Sequence, residues 1–266
     1  MITVLTPTFN RAHTLERLFD SLQRQTVINF EWLIIDDGST DNTLAVFRTF
    51  SAKPNLAFSI RYKYQDNAGK HVALNTGCEN ANGDWIFIVD SDDAVTTDAI
   101  EQIYIAIDLF ENPSDLGVAF RKMDFNGHVV GKNVDFSDGA SLHPSTAGRL
   151  FGGDLAYVFS KRELLKLPFP VVPHEKFVPE LFIWNLIGDR GRIIFYPSVS
   201  IYFCEYLEDG YSNNFYANLE RNPLGFLLFY ASQIARESSL MGKIKSFIRS
   251  IQCIYYCTRS TKRNMR

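Results

Sequence analysis

Residues 31–41 read Glu31-Trp32-Leu33-Ile34-Ile35-Asp36-Asp37-Gly38-Ser39-Thr40-Asp41, a short apolar strand that runs into an acidic turn. A second strand of the same kind, Trp85–Val89, ends in Asp90-Ser91-Asp92-Asp93. Taken alone, either turn is as typical of a solvated loop or a helix N-cap as of a site. Because the carboxyl ends of parallel strands meet at one edge of a sheet, the two turns together indicate a ligand site at that edge.

The first 120 residues alternate short apolar strands with helical patterns. Leu15, Leu18, Phe19 and Leu22 mark one helical face, and Ile100, Ile103 and Ile107 mark another. This alternation predicts an α/β fold with a mostly parallel, nucleotide-binding sheet flanked by helices. The predicted strands are Ile2–Thr6, Phe30–Asp36, Ile60–Tyr64, Trp85–Val89 and Gly117–Arg121.

The pattern changes after Asp124, and the next part of the chain is predicted to be α+β. We expect a hairpin at Asn126-Gly127, a strand at Leu155–Ser160 and a helix at Pro179–Ile187. Further strands are expected within Ile193–Phe203, with a break at Pro197, and two helices between Pro223 and Cys257.

Composition excludes several classes of protein. The chain has 266 residues, 27 basic and 30 acidic, for a net charge of −3, which does not suggest a nucleic-acid binder. The four cysteines form no CxxC pair and are interpreted as reduced thiols. No signal peptide is predicted, and no apolar run approaches the roughly 18 residues of a membrane span.

The two acidic turns need a positive partner. Carboxylates crowded at about 4 Å repel by about 1 kcal/mol per pair even in water. A divalent cation is the simplest partner, and ligation by carboxylates favours Mn²⁺ or Mg²⁺ over zinc.

Four ordered motifs resemble the inverting, nucleotide-sugar-dependent glycosyltransferases of family 2, which have the GT-A fold. They are Thr6-Pro7-Thr8-Phe9-Asn10-Arg11, the 31–41 stretch, Asn67-Ala68-Gly69 through Ala73-Leu74-Asn75-Thr76-Gly77, and Gly83-Asp84-Trp85-Ile86 leading into Asp90-Ser91-Asp92-Asp93. The resemblance implies a GT-A catalytic domain over residues 1–219, with a nucleotide-sugar half at 1–120 and an acceptor half at 121–219. Residues 220–266 would form a separate basic, amphipathic helical segment.

The resemblance also implies the roles of site residues. Asp92, the last aspartate of the Asp-x-Asp motif, would hold the metal together with Asp90, and Asp37 would accept the uracil N3–H of a uridine donor. Lys70 would approach the diphosphate, although a solvated helix start is an alternative for it. The complete set expected at the nucleotide sugar is Thr6, Pro7, Thr8, Phe9, Asn10, Arg11, Asp36, Asp37, Asn67, Gly69, Lys70, Asp90 and Ser91.

The catalytic base departs from the family's usual Glu-Asp pair. Here the corresponding stretch is His174-Glu175-Lys176-Phe177-Val178-Pro179-Glu180-Leu181-Phe182-Ile183-Trp184. Aligning Trp184 with the aromatic residue that commonly follows the motif makes Glu180 the base, with Glu175 in reserve. The alternative for both is an acid favoured by a helix N-terminus.

The expected function is transfer of a single sugar, because the Gln-x-x-Arg-Trp motif of processive synthases is missing. The donor would be a UDP-sugar, and the acceptor a saccharide or lipid-linked saccharide of cell-surface polysaccharide synthesis. A catalytically silent sugar-nucleotide or glycan-binding homologue is the alternative. A nicotinamide dehydrogenase is disfavoured because no Gly-x-Gly-x-x-Gly follows the first strand.

The C-terminal segment carries nine basic and two acidic residues between Glu220 and Arg266. Ile244, Phe247, Ile248, Ile251 and Tyr255 keep helical spacing beside basic residues. Such a helix could bind the surface of an anionic membrane, or its apolar face could pack on the catalytic domain. We therefore expect a cytoplasmic protein, with peripheral contact at the inner face of the plasma membrane as one alternative.

Overall fold

A computed structural model describes residues 1–205 and 214–264, with side chains described as far as residue 259. The strands are β1 (Ile2–Thr8), β2 (Phe30–Asp36), β3 (Ser59–Tyr64), β4 (Trp85–Ile88), β5 (Ala94–Val95), β6 (Asp115–Met123), β7 (Ala140–Ser141), β8 (Leu155–Ser160) and β9 (Arg192–Phe203). The helices are α1 (Leu15–Gln23), α2 (Thr43–Ser51), α3 (Lys70–Asn80), α4 (Ala99–Asp108), α5 (Pro144–Phe151), α6 (Lys161–Lys166), α7 (Leu181–Gly188), α8 (Phe215–Arg221), α9 (Pro223–Arg236) and α10 (Leu240–Asn264).

Within the described residues, the strands form one sheet in the order β3-β2-β1-β4-β8-β6-β9-β5, and β7 pairs with β9. The strands of the nucleotide half, β3-β2-β1-β4, are all parallel. Antiparallel pairs enter with β8, which lies between β4 and β6. The carboxyl ends of β1, β2 and β4 therefore open at one edge, as the sequence predicts.

Neighbouring residues of the central strands pack into different cores because both faces of the sheet are covered. Val4 and Ile34 belong to the core beneath α1 and α4, whereas Leu5 and Ile35 belong to the core beneath α3 and α7. Burial on both faces explains why these parallel strands are continuous apolar runs rather than alternating ones. The α/β prediction with helices on both faces is confirmed.

Some elements differ from the sequence predictions in detail. The 192–203 region is one strand whose register against β6 shifts between Tyr196 and Ser200, around Pro197. At Asn126-Gly127 the chain makes a tight turn, with a single antiparallel bridge between Met123 and Val129 instead of two strands. Helix α2 was not predicted.

The helices α8, α9 and α10 enclose a third, small core built around Leu219, Phe226 and Cys253. Helix α9 is held against the acceptor half because Lys176 N donates to Asn222 Oδ1 at 2.8 Å and Arg236 pairs with Asp189. Among the described residues, no helix combines the length and the apolar character that crossing a bilayer requires. None of the four cysteines is in a disulfide.

Candidate active site

A cleft of about 2650 Å³ opens at the carboxyl ends of β1, β2 and β4 and continues toward α9 and α10. It brings together residues that are far apart in the sequence and that the motifs single out. Those that line it are Pro7, Thr8, Phe9, Asn10, Arg11, Asp37, Asn67, Gly69, Lys70, Asp90, Ser91, Asp92 and Glu180.

Three of the predicted residues lie behind the cleft wall. Thr6 is fully buried, and its hydroxyl accepts a hydrogen bond from the indole N–H of Trp32 at 2.9 Å. Asp36 is buried, accepts the Ser39 N–H at 2.7 Å and also accepts a hydrogen bond from the hydroxyl of Tyr62. These contacts give Thr6 and Asp36 a supporting position, whereas Glu175, described below, lies under α9.

Asn10 joins the loops that follow β1 and β2. Its N–H donates to Ser39 Oγ at 2.8 Å, and its Oδ1 accepts the Thr40 N–H at 2.8 Å. Asn10 has a φ of 53°, a left-handed conformation that asparagine tolerates better than most residues. The two loops are therefore fixed relative to each other on the floor of the cleft.

Asp37 organises the loop before α3. Its Oδ1 accepts from Gln65 Nε2 at 2.7 Å and from Ala68 N at 2.9 Å, and its Oδ2 accepts from Gly69 N at 2.7 Å. Gly69 has a φ of +100°, and a Cβ there would lie 2.2 Å from the carbonyl oxygen of Lys176. Only glycine fits at this crossing, which brings the nucleotide half and the acceptor half into contact.

Lys70, the first residue of α3, bridges two carboxylates from different parts of the chain. Its Nζ lies 2.6 Å from Asp90 Oδ1 and 2.7 Å from Glu180 Oε1. Burial lowers the pKa of Lys70, but the charges of Asp90 and Glu180 outweigh it and hold the pKa well above its usual value. The expected donor-side aspartate and the expected base are thus within reach of one ammonium group.

The pKa values of the three aspartates in the acidic turn after β4 are shifted in different directions. Burial raises the pKa of Asp90, but the charges of Lys70 and Lys122 outweigh it and keep that pKa below its usual value. Burial and the charge of Asp90 raise the pKa of Asp92, and the same two causes raise that of Asp93 to about 7. Asp93 Oδ2 accepts from the Tyr202 hydroxyl at 2.6 Å, and Arg11 Nε lies 4.0 Å from Asp92 Oδ2.

This turn fits a hard divalent cation that a ligand helps to hold. The raised pKa of Asp92 reflects a buried negative charge without enough positive charge nearby, which a cation would supply. Within residues 1–205 and 214–264, however, no three His, Cys, Asp or Glu side chains form a complete metal site. Mg²⁺ is commonly bound by one or two carboxylates plus phosphate oxygens, and Asp90 and Asp92 match that arrangement.

The two candidate bases occupy different helix starts. Glu180 is the N-cap residue of α7, but its carboxylate makes no capping hydrogen bond and is directed at Lys70. Glu175 accepts the N–H groups of Leu224 and Gly225, both at 2.8 Å, at the start of α9. Burial raises the pKa of Glu175 against the opposing effect of these two hydrogen bonds. The contacts therefore favour Glu180 as the group available for chemistry.

The motifs did not point to several residues that line the cleft. Lys122 lies at the end of β6, where its Nζ is 4.0 Å from the centre of the Tyr202 ring. Lys122 directly follows the predicted strand Gly117–Arg121, which ends at the same edge of the sheet, and that position is the signal that could have identified it. Lys176 donates to Asn67 Oδ1 across the cleft, but its sequence surroundings gave no such signal. The other lining residues away from the motifs include Arg149, Tyr157, Tyr230, Tyr256 and Arg259.

Comparison with known proteins identifies the domain. Residues 3–122 match the family model described as glycosyl transferase family 2. Glycosyltransferase GlyA of Streptococcus pneumoniae is 37% identical over 136 residues, covering 49% of this chain and 19% of that protein. A PGL/p-HBAD biosynthesis glycosyltransferase of Mycobacterium bovis is 34% identical over 143 residues, covering 53% of this chain and 52% of that protein. The chain thus spans between a fifth and about half of the length of these relatives.

Solved structures extend the likeness to nearly the entire chain at the level of fold. The crystal structure of Staphylococcus aureus TarS 1-349 has a TM-score of 0.66 at 18% identity, covering 97% of this chain and 73% of that one. The mannosyltransferase PcManGT of Pyrobaculum calidifontis, solved with GDP-Man and Mn²⁺, has a TM-score of 0.61 at 18% identity, covering 98% and 75%. The family match, the curated relatives and the architecture agree with the sequence motifs: residues 3–122 form a glycosyl transferase family 2 domain, and the chain has the GT-A fold.

Proposed function

We propose that the chain is an inverting, metal-dependent glycosyltransferase that moves one sugar from a UDP-sugar to a saccharide or lipid-linked saccharide. The observation that carries the proposal is the pair of contacts of Lys70 Nζ, at 2.6 Å to Asp90 and 2.7 Å to Glu180. Transfer needs a donor site and a base on opposite sides of one carbon atom, a few ångströms apart. Because Lys70 Nζ contacts both Asp90 and Glu180, these two carboxylates lie only a few ångströms apart in the cleft.

The donor is assigned to uridine nucleotides because of Asp37. A carboxylate has about four lone-pair sites, and the Gln65, Ala68 and Gly69 donors use three of them. One remains for the N3–H of uracil. TarS, which shares the fold, has been crystallised with UDP and with UDP-GlcNAc.

The metal is assigned to Asp92 and Asp90. When bound, Mn²⁺ or Mg²⁺ would neutralise the negative charge that develops on the departing diphosphate. This assignment is supported by the raised pKa of Asp92 and by the Mn²⁺ in the PcManGT structure. The positive charges of Lys70 and Arg11 lie beside these two aspartates and would help to hold the diphosphate.

In the transfer step, Glu180 accepts the proton of the acceptor hydroxyl through a carboxylate oxygen. The hydroxyl oxygen forms a bond to the anomeric carbon while the bond from that carbon to the diphosphate oxygen breaks. The electron pair of that bond leaves with the nucleoside diphosphate. Because the acceptor attacks from the side opposite the leaving group, the configuration at the anomeric carbon is inverted.

The acceptor is assigned to the part of the cleft beyond the donor. Ligand pockets commonly measure about 300–1,000 Å³, so a cleft of about 2650 Å³ has room for both substrates. Tyr157, Trp184, Tyr230 and Tyr256 line it and offer flat apolar surfaces suited to sugar rings. We propose a role in the synthesis of cell-surface glycans at the cytoplasmic face of the plasma membrane, and one curated relative is named for PGL/p-HBAD biosynthesis.

Thermal unfolding with UDP, GDP, CDP or dTDP, each with and without Mn²⁺, tests the donor and metal assignments. A ligand present at about 100 times its Kd stabilises the native state by about 2.7 kcal/mol. We expect a metal-dependent shift with UDP and a much smaller one with the other nucleotides. No shift with any nucleotide would refute the donor site, and a larger shift with GDP would refute the assignment to uracil.

A further inference from the structure

Helix α10 buries small side chains and exposes large apolar ones, which is the reverse of a usual surface helix. Ser246, Ser250 and Cys253 are buried on its inner side. Their small side chains allow α10 to pack closely on α9. Among the described residues, the large apolar side chains on the remaining sides of α10 are therefore left largely exposed.

The exposed apolar residues of α10 form a continuous surface, which we call the α10 stripe. Ile244, Ile248, Ile251 and Tyr255 recur at intervals of four and three residues and share one side of the helix. The fractional exposures of all its members are 74% for Leu240, 61% for Met241, 43% for Ile244, 55% for Phe247, 57% for Ile248, 51% for Ile251, 51% for Ile254 and 57% for Tyr255. A contiguous apolar surface of this kind marks an interaction site.

The charge of the helix indicates the kind of partner. The α10 sequence from Leu240 to Asn264 contains six basic residues and no acidic residue. At about 100° per residue, Lys243 and Lys245 fall on opposite borders of the α10 stripe, and both are exposed. An apolar stripe between two basic borders is the arrangement of helices that lie in the interface of an anionic bilayer.

We propose that α10 binds the surface of an anionic lipid bilayer, with the α10 stripe inserted below the headgroups and the lysines among the lipid phosphates. A second copy of the chain is a poorer occupant, because two α10 helices would bring only basic residues together. The catalytic domain cannot be the occupant, because it already packs, through α9, on the opposite side of α10.

The proposal has a consequence for the acceptor, and this step rests on the proposed function. Ser246, Tyr256 and Arg259 belong to α10 and also line the cleft. The helix that touches the bilayer is thus one wall of the acceptor region. An acceptor saccharide linked to a membrane lipid would enter the cleft along α10 without leaving the surface.

Co-sedimentation of the full chain with vesicles tests the surface, in the absence of any nucleotide. We expect binding to vesicles of phosphatidylcholine with phosphatidylglycerol, and at least tenfold weaker binding to phosphatidylcholine alone. Raising the salt concentration should weaken binding to the anionic vesicles, because the lysine contribution is screened.

Two variants of α10 separate the apolar and the basic contributions. Phe247→Ser with Ile251→Ser should lower the partition coefficient about tenfold or more, because two large side chains no longer leave water. Lys243→Gln with Lys245→Gln should lower it about tenfold on anionic vesicles and little on neutral ones. The matched controls are Leu109→Ser with Val171→Ser, at exposed apolar residues elsewhere, and Arg24→Gln with Arg48→Gln, at exposed arginines.

The outcomes are distinguishable. Absence of binding to anionic vesicles, or equal losses in the variants and their controls, would overturn the proposal. The proposal would also be overturned if light scattering found a dimer that the Phe247→Ser, Ile251→Ser variant converts to a monomer. In that case a second copy of the chain would cover the α10 stripe. If vesicle binding holds while no nucleotide shifts the thermal unfolding, the proposed function fails and the membrane surface stands.

Discussion

Lys70 Nζ lies 2.7 Å from Glu180 Oε1, and this contact joins the first turn of α3 in the nucleotide half to the start of α7 in the acceptor half. The same ammonium group lies 2.6 Å from Asp90 Oδ1. One cation therefore balances a donor-side carboxylate and the proposed base at once. Because Glu180 has no other cationic partner among the described residues, Lys70 also sets where that carboxylate points.

Replacing Lys70 with methionine should destabilise the protein and weaken nucleotide binding. Removing one partner leaves Asp90 and Glu180 facing each other in a half-buried site, at a cost of about 1–3 kcal/mol in the free energy of unfolding. Urea unfolding at pH 7 measures this loss, and the thermal shift with UDP should shrink in the same variant. Lys70→Arg keeps the charge and should recover part of both. If Lys70→Met were as stable as the parent, the two ion pairs would not exist in solution.

Glu180→Gln should abolish most of the transfer activity while preserving donor binding. A general base contributes about 10²- to 10⁴-fold to the rate, and glutamine keeps the size of the side chain but cannot take the proton. Initial rates of transfer from a UDP-sugar, together with the UDP thermal shift, separate the two effects. Transfer at the parent rate would remove Glu180 from the mechanism. If the parent itself shows no transfer but retains the UDP shift, the silent-homologue alternative is supported.

The sequence predicts that the motifs meet at one edge of the sheet, and they do line one cleft, because each motif there follows a strand whose type and end are visible locally. The position of Glu180 at a helix start is predictable from Pro179 and Trp184, and its role as the base stays a prediction. The resemblance implies that Thr6 and Asp36 lie at the nucleotide sugar, whereas the structure places both behind the cleft wall. Their burial depends on partners from neighbouring strands, Trp32 and Tyr62, and no local pattern contains that pairing.

The C-terminal helix α10 shows a different limit of prediction from sequence. Helical periodicity gives the residues that share a side of α10, but not the side that packs. The alternative in which the apolar face of α10 packs on the catalytic domain is wrong for Ile244, Ile248 and Ile251, which are exposed. Ser246, Ser250 and Cys253 face inward because close helix packing on α9 favours small side chains.

Glu175→Ala should lower stability without removing a catalytic group. Its carboxylate accepts both the Leu224 and the Gly225 N–H at 2.8 Å, and alanine leaves these two donors of the first turn of α9 without their acceptor. We expect a loss of about 2–4 kcal/mol in the free energy of unfolding, measured with urea. Glu111→Ala, at an exposed glutamate, is the control and should change stability by less than about 0.5 kcal/mol.

Below its unfolding transition, Glu175→Ala should retain transfer activity. Loss of transfer in a folded variant, matching that of Glu180→Gln, would instead make Glu175 the base.

Asp93→Asn should change how stability depends on pH in the absence of metal ions. Burial, with the charge of Asp90, raises the pKa of Asp93 from 3.8 to about 7 in the folded protein. Between these two values the folded state holds a proton that the unfolded state has released, so the free energy of unfolding falls as the pH rises toward about 7.

Asparagine removes this titration and can still accept the hydrogen bond from Tyr202. Urea unfolding from pH 4 to pH 8 with a chelator present should therefore show a flatter profile, and at pH 8 the variant should be more stable than the parent by at least about 1 kcal/mol. Asp66→Asn, at an exposed aspartate, serves as the control and should leave the slope unchanged. A variant whose profile matches that of the parent would mean that Asp93 is ionised across this range, so that the acidic turn already has a compensating positive charge without a metal.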